Sequence, residues 1–257
     1  MSDVAVHLRD RDEVEAIRAA AQVVASTLQL MRREVRAGVT TSELDRLAEE
    51  FIRSQGGRPS FKGYRGFPAS ICSSVNDQVV HGIPGPRELK DGDIVGIDVG
   101  VELEGYHGDA AWTFPVGEVS DEAKRLLQVT REALAMGIAQ ARPGGRIGDI
   151  SHAVQSHVEA AGFSVVRELV GHGIGREMHE EPQVPNYGPP GRGPRLMVGQ
   201  VLAIEPMVNI GGAEVVTGSD GWTIATRDGS LSAHFEHTVA VGATGPVILS
   251  DPDGLSG

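Results

Sequence analysis

The stretch Gly92-Asp93-Ile94-Val95-Gly96-Ile97-Asp98-Val99-Gly100, GDIVGIDVG, decides how the chain is read. Ile94, Val95, Ile97 and Val99 are apolar at odd and even positions alike, the pattern of a strand covered on both faces. Asp98 sits in the middle of that run. A carboxylate inside a protein costs several kcal/mol unless a cation or a set of donors compensates it. The strand therefore calls for a partner to Asp98.

Working outward, the chain proves to be duplicated. Residues 36–57, RAGVTTSELDRLAEEFIRSQGG, align with residues 142–163, RPGGRIGDISHAVQSHVEAAGF, so that Arg36 meets Arg142, Gly38 meets Gly144, Glu43 meets Asp149 and Gly56 meets Gly162. Carried on with one extra residue, DGDIVGID falls on VGQVLAIE, and Asp98 meets Glu205. Further on, His107-Gly108-Asp109 faces His234-Phe235-Glu236. Each half thus brings two acids to corresponding places.

The apolar spacing predicts a helix from about Asp12 to Arg36, through Val14, Ile17, Ala21, Val24, Leu28 and Met31. A second helix begins at a Thr40/Glu43 capping box and ends at Gly56-Gly57. The same plan returns after Ser120, with a helix through Leu126, Leu134 and Ile138, a Pro143-Gly144-Gly145 break, and a helix from about Ile147 to Ala161. Helices followed by strands in each half predict an α+β fold in which two sheets pack into one pseudo-two-fold core. We expect one domain over residues 1–257, with halves of about 10–118 and 119–245. PNYGPPGRGP, residues 185–194, is rich in turn formers and predicts a surface loop.

Composition narrows the function. Twenty-three Lys and Arg stand against 35 Asp and Glu, a net charge of −12, so no basic stripe is available to displace phosphate counterions and a nucleic-acid partner is not expected. No stretch approaches the length of a membrane span, and the charged N-terminus does not resemble a signal or transit peptide, so the mature chain is expected to begin near Met1, in the cytoplasm. Cys72 is the only cysteine, which excludes an internal disulfide and a thiolate-cage zinc site.

The four acids suit a two-metal hydrolytic site, which needs several carboxylates, some bridging, to hold two divalent ions ~3.5–4 Å apart. Asp98 and Asp109 are spaced for a hairpin turning at ELEGYHG, and Glu205 and Glu236 repeat the pair with a longer connection. Between them, GHGIGREMHEEP carries His172 and His179 among glycines, which allow a backbone to come close to a ligand. His81, in QVVHGIP, is a third imidazole. Singly, each has a plain structural explanation: an edge-strand aspartate, a strand end at Glu205 before Pro206, a turn histidine before Gly82, a solvated Glu236. Together, four acids in two repeat-related pairs flanking histidines favour a metal site.

With these residues in view the chain resembles the type I methionine aminopeptidases, metallopeptidases of pita-bread (creatinase/aminopeptidase-like) fold. NDQVVHGIP, DIVGIDVG, GYHGDAAWTF, GHGIGREMHEEP, LAIEPM and SLSAHFEHTVAV carry the resemblance over nearly the whole length. It implies two divalent ions, Co, Mn, Fe or Zn, with Asp98 the principal ligand of one, His172 and Glu205 on the other, and Asp109 and Glu236 bridging. It implies a water between the ions as nucleophile, Glu205 accepting its proton, His179 on the scissile carbonyl and His81 on the amide nitrogen. It implies a methionine pocket of Tyr64, Phe67, Cys72, Met178 and Trp222, with Phe61 and Phe67 standing where relatives often have cysteine and tyrosine. The substrate implied is the N-terminal peptide of nascent proteins with a small second residue, and the enzyme implied is a monomer.

Three rivals compete. A proline-directed aminopeptidase or prolidase of the same fold usually carries a large additional N-terminal domain. A non-catalytic binding protein of this fold typically loses ligands, whereas all five ligand positions are filled here. A non-haem iron oxygenase needs two histidines and one carboxylate on a single ion, and four carboxylates fit hydrolysis better.

Overall fold

The computed structural model describes residues 6–251, so the expected start at Met1 lies outside the described residues. Helix α1 spans Arg11–Glu34 and opens on a capping box, with Glu13 N–H donating to the Asp10 side chain and Asp10 N–H to Glu13. Helix α2, Thr41–Ser54, starts at Thr40, whose hydroxyl accepts from Glu43 N–H. The expected box there is only half made, because the Glu43 carboxylate is drawn off by Arg46 one turn on. Helix α3 is Asp121–Ala139, capped by Ser120, and α4 is Ile147–Ala160, where Asp149 accepts from Arg146 N–H.

In the first half the decisive stretch lies in a ten-residue strand, Ile94–Leu103, paired along its length with Tyr106–Pro115. The turn is only Glu104-Gly105, both at positive φ (52° and 81°), as a two-residue hairpin requires. Register places Asp98 opposite Ala111 and Asp109 opposite Gly100, so the two acids are diagonal neighbours on one face. The other edge of Ile94–Leu103 is shared by Cys72–Val75 and the short Arg58–Pro59. Helix α1 lies close on this hairpin, and a Cβ at Gly108 would stand 2.5 Å from the Ala21 backbone. Glycine there sets the depth at which the helix packs.

The second half is bent where the first is straight. Val201–Ile204 belongs to a five-stranded sheet ordered Gly245–Ile248, His237–Gly242, Val201–Ile204, Gly171–Gly173, Glu180–Val184. The chain leaves that sheet at Glu205-Pro206 and resumes as Met207–Asn209, in another sheet beside Ser232–His234 and Ser164–Val165. Pro206 has no N–H to give to a ladder, which suits the break. Ile204 pairs with His237 and Met207 with His234, so a register continued across the break sets Glu205 against Glu236. The two acid pairs are therefore alike in topology but not in register: diagonal in one half, face to face in the other.

The halves join edge to edge. Thr238 Oγ1 donates to Asp109 O (2.7 Å) and accepts from Asp109 N (3.0 Å); Thr113 Oγ1 donates to His234 O (2.8 Å) and accepts from His234 N (3.0 Å). Glu236 N–H donates to Ala111 O at 2.9 Å. One apolar cluster runs beneath this seam, with Leu28 of α1, Leu44 of α2, Leu126 of α3 and Ile150 of α4 packed with Ile97, Ile204 and Val239. Each such buried side chain contributes ~1.5–3 kcal/mol. Residues 185–194 form the expected loop, anchored by buried Asn186, whose Nδ2 donates to Glu205 O at 3.0 Å. Among the described residues, no helix is long and apolar enough to cross a membrane.

Candidate metal centre

The hairpin presents Asp98 and Asp109, the break presents Glu205 and Glu236, and the strand Gly171–Gly173, next to Val201–Ile204, presents His172 beside them. His172 Nε2 stands 3.5 Å from Glu205 Oε1 and 3.9 Å from Asp109 Oδ2. Its Nδ1 lies 2.9 Å from Gly173 O, which can only accept, so the proton is on Nδ1 and the Nε2 lone pair faces the acids. The glycines beside it have a packing role as well. Cβ atoms at Gly171 and Gly173 would come 2.4 Å from the Ala203 and Glu181 carbonyl oxygens, so these glycines let three strands close on one another.

Four carboxylates in one enclosed place repel one another and are poorly solvated. Burial raises Asp98 to about 7, and burial with the neighbouring acids raises Asp109, Glu205 and Glu236 well above the carboxylate range. Burial also lowers His172 to about 4 and, with His172 and Arg65 nearby, His179 to about 3, so both imidazoles are neutral near pH 7. Asp98 Oδ1, Asp109 Oδ1 and Glu236 Oε1 are buried with no hydrogen-bond partner. Unpaired acceptors converging with a neutral imidazole are a donor set for divalent cations, which would supply the missing positive charge. Asp109, His172 and Glu236 each place a ligand atom within 4.8 Å of the others, and so do Glu205, His234 and Glu236.

Every site residue anticipated from the sequence borders one cavity of about 170 Å³: the five acid and imidazole donors, His81 and His179, and the apolar Tyr64, Phe67, Cys72, Met178 and Trp222. Its size suits a single side chain. The apolar end is a cluster of its own, with Phe67 edge-on to Trp222 (centroids 5.2 Å apart) and Cys72 and Met178 packed beside them. Phe61 completes this wall. His179 stacks on Tyr64 at 5.3 Å and its Nδ1 lies 3.0 Å from the Tyr64 hydroxyl. His81 holds φ at 58°, a left-handed conformation that turns it out of the strand Gln78–Val80 into the cavity.

Two neighbours were not anticipated. Arg65, on a turn at φ 50°, lines the cavity mouth with its guanidinium 5.3 Å from the Tyr64 ring centroid, and nothing in the local sequence signals it. His234 lies 3.7 Å from Glu205 and 3.8 Å from Glu236. Its signal was present, since residues two apart on a strand share a face and Glu236 was already a candidate.

Metallopeptidase family M24 matches residues 15–243. The methionine aminopeptidase of Clostridium perfringens is 58 % identical over 243 residues, covering 95 % of this chain and 98 % of that one. The chain belongs to the methionine aminopeptidases of family M24. A methionine aminopeptidase crystal structure from Rickettsia prowazekii superposes on this member with a TM-score of 0.95 at 44 % identity, covering 96 % of this chain and all of that one. A prolidase from Pyrococcus furiosus, at 20 % identity and a TM-score of 0.78, shares the pita-bread fold alone, with this chain spanning 66 % of it. Family membership makes the chain a metal-dependent hydrolase of aminopeptidase type, and the binding-protein and oxygenase rivals fall away.

Proposed function

We propose that this enzyme removes the N-terminal methionine from nascent proteins whose second residue is small, with two divalent ions held by Asp98, Asp109, His172, Glu205 and Glu236. One observation carries the proposal: a single cavity has unpaired buried carboxylate oxygens at one end and a slot of aromatic and sulfur side chains at the other. The ions supply Lewis-acid polarisation and water activation when bound, and Mn, Fe, Co and Zn all suit an oxygen-rich set with imidazole. The remaining work falls to the chain.

The slot seats the methionine side chain, where aromatic edges and soft sulfur atoms favour a thioether. Glu205, facing both the cavity and His172, accepts the proton of the attacking water. With the Tyr64 hydroxyl donating to Nδ1, His179 carries its proton on Nε2 and can donate it to the carbonyl oxygen as negative charge develops there. His81, which lines the same cavity, is assigned to the departing amide nitrogen. We take residues 1–257 as one catalytic domain with halves of about 10–118 and 119–245, because the apolar core and the threonine seam draw on both. The same proposal makes the enzyme a cytoplasmic monomer acting on peptide ends, and a net charge of −12 supports the absence of a nucleic-acid partner.

The test is release of the first residue from Met-Ala-, Met-Leu- and Ala-Pro-initiated peptides, with Mn or Co added and a chelator control. Chelator-sensitive release of methionine from the Met-Ala peptide alone is the expected result. Cleavage before proline would replace this proposal with the proline-directed one.

A further inference from the structure

We propose that His234 is a positioning residue of the metal centre, its Nε2–H holding the Glu205 and Glu236 carboxylates in the orientation that takes up divalent ions. The proposal rests on the metal centre described under Proposed function and adds a side chain to it that is not among the five ligands.

His234 is 3 % exposed, and its Nε2 is buried without a hydrogen-bond partner. That atom faces two carboxylates at once, 3.7 Å from Glu205 Oε2 and 3.8 Å from Glu236 Oε2. A bare lone pair aimed at two acids is repulsive, whereas an N–H is attractive to both, so the tautomer protonated on Nε2 is the one this place favours. Both gaps exceed the ~2.7–3.2 Å of an N–H···O bond by less than about 1 Å, a distance that rotation of a carboxylate closes.

The imidazole is also held in place. His234 N and O are both bonded to Thr113 Oγ1, so the strand cannot carry the ring away from the acids. Its two counterparts are otherwise engaged: His107, the repeat mate, has Nδ1 2.9 Å from Ser60 Oγ, and His237, three residues on, has Nδ1 2.9 Å from Ser250 Oγ. Glu205 and Glu236 face each other within a break in the sheet, where pairing thins to one long bond, Phe235 N–H to Pro206 O at 3.4 Å, and no ladder bond restrains the acids themselves. A shared donor between them supplies that restraint. Partners of ligating side chains of this kind affect metal affinity by ~10–100-fold.

The test uses chelator-stripped full-length protein titrated calorimetrically with Mn²⁺. His234→Leu, which keeps the bulk and loses the donor, should bind Mn²⁺ about 10–100-fold more weakly, and His234→Gln, whose amide N–H reaches a similar point, should recover most of that loss. Melting of the stripped proteins checks folding, and His234→Met replaces the leucine variant if the latter does not fold. A second measurement needs no variant: in wild-type protein labelled with ¹⁵N-histidine and loaded with Zn²⁺, the His234 Nε2 resonance should retain its directly bonded proton. Loss of that proton on loading would make His234 a ligand and overturn the proposal, as would unchanged affinity in His234→Leu or equal losses in His234→Leu and His234→Gln. Wild-type protein that takes up no Mn²⁺ would instead overturn the metal centre itself, and this proposal with it.

Discussion

The residue that opened the sequence provides a test in which the sign of the effect changes with the metal. In the metal-free protein Asp98 is raised by burial from 3.8 to about 7. Between those values the folded state holds a proton that the unfolded chain has released, so stability falls as pH rises through that window. At about 1.36 kcal/mol per unit the penalty reaches ~4 kcal/mol above pH 7, roughly half of it accruing between pH 5.5 and 7.5. The buried histidines act in the opposite sense. His172 and His234 are lowered by burial to about 4 and 3, so their contribution rises with pH up to ~6.5 and is constant above it. They are present in wild type and in Asp98→Asn alike, so their contribution cancels in the difference between the two proteins, while loss of the Asp98 charge also relieves Asp109, Glu205 and Glu236 and adds to that difference in the same direction.

Stripped of metal, Asp98→Asn should therefore be more stable than wild type by up to ~4 kcal/mol at pH 7.5 and by about half that at pH 5.5. For a chain of this size 1 kcal/mol moves the midpoint by ~2–4 °C, so thermal melts in chelator at the two pH values resolve the effect. In saturating Mn²⁺ the order should invert, because the ion compensates the carboxylate and stabilises only the protein that binds it. A stripped Asp98→Asn no more stable than stripped wild type at pH 7.5 would refute the claim that a cation is what lets a carboxylate occupy this strand.

Asp98→Ala and Glu205→Ala should each abolish peptide cleavage with loss of bound metal, read by metal analysis beside kinetics; wild-type turnover in either would sink the assignment. His81→Ala and His179→Ala should keep the metal and lose turnover by ~10²-fold or more, since they act on proton transfer and on the carbonyl; loss of metal in either would place it among the ligands. Met178→Ala enlarges the apolar slot and should lower kcat/KM for Met-Ala peptides by ~10–100-fold while cleavage of larger first residues improves, a change in selectivity that competition between peptides would show. Arg9 and Glu180 form a nearly buried pair beside His179, with 7 % and 6 % of their side chains exposed, so Arg9→Ala should cost ~3–5 kcal/mol in urea unfolding by leaving Glu180 unpaired.

The helices were legible because their signals are local. Asp10, Thr40 and Ser120 announce the starts, and the apolar stripe of α1 is buried as its spacing requires. The acids were legible through the repeat, which placed Glu205 opposite Asp98 before any contact was known. The change in sheet at Glu205-Pro206 was not, because a proline after an acid reads equally well as a strand end, and only the partner register of Ser232–His234 and His237–Gly242 shows that pairing resumes. His234 could have been read from its two-residue spacing to Glu236, but its approach to Glu205 depends on that same break. Membership of Tyr64, Met178 and Trp222 in one pocket depends on contacts between residues far apart in the chain, and for these the family resemblance, not periodicity, was informative.

The unequal registers of the two halves bear on why this site needs both. In the first half a continuous hairpin fixes Asp98 and Asp109 on one face at a spacing set by the ladder. In the second, the break frees Glu205 and Glu236 from a continuous ladder, and their positions depend on groups from elsewhere: the Asn186 side chain on the Glu205 carbonyl, the Ala111 backbone carbonyl on the Glu236 amide. The seam then couples rigid and adjustable parts, since Thr238 grips both backbone groups of Asp109 while Thr113 grips both of His234. Asp109 and Glu236 are the acids that stand at this seam itself, Asp109 held by Thr238 and Glu236 by the Ala111 carbonyl. The donor set of the one cavity draws on both halves: the hairpin lacks an imidazole aimed at its acids, and the bent pair lacks a continuous ladder to set its spacing. Burial, with repulsion from neighbouring acids added at Asp109, Glu205 and Glu236, raises the proton affinities of these carboxyls and opposes their joint ionisation until charge arrives from outside. Metal uptake draws on acids from both halves, whereas the apolar core that joins the halves does not depend on those acids, which is why loss of either acid pair should be felt as loss of metal before it is felt as loss of fold.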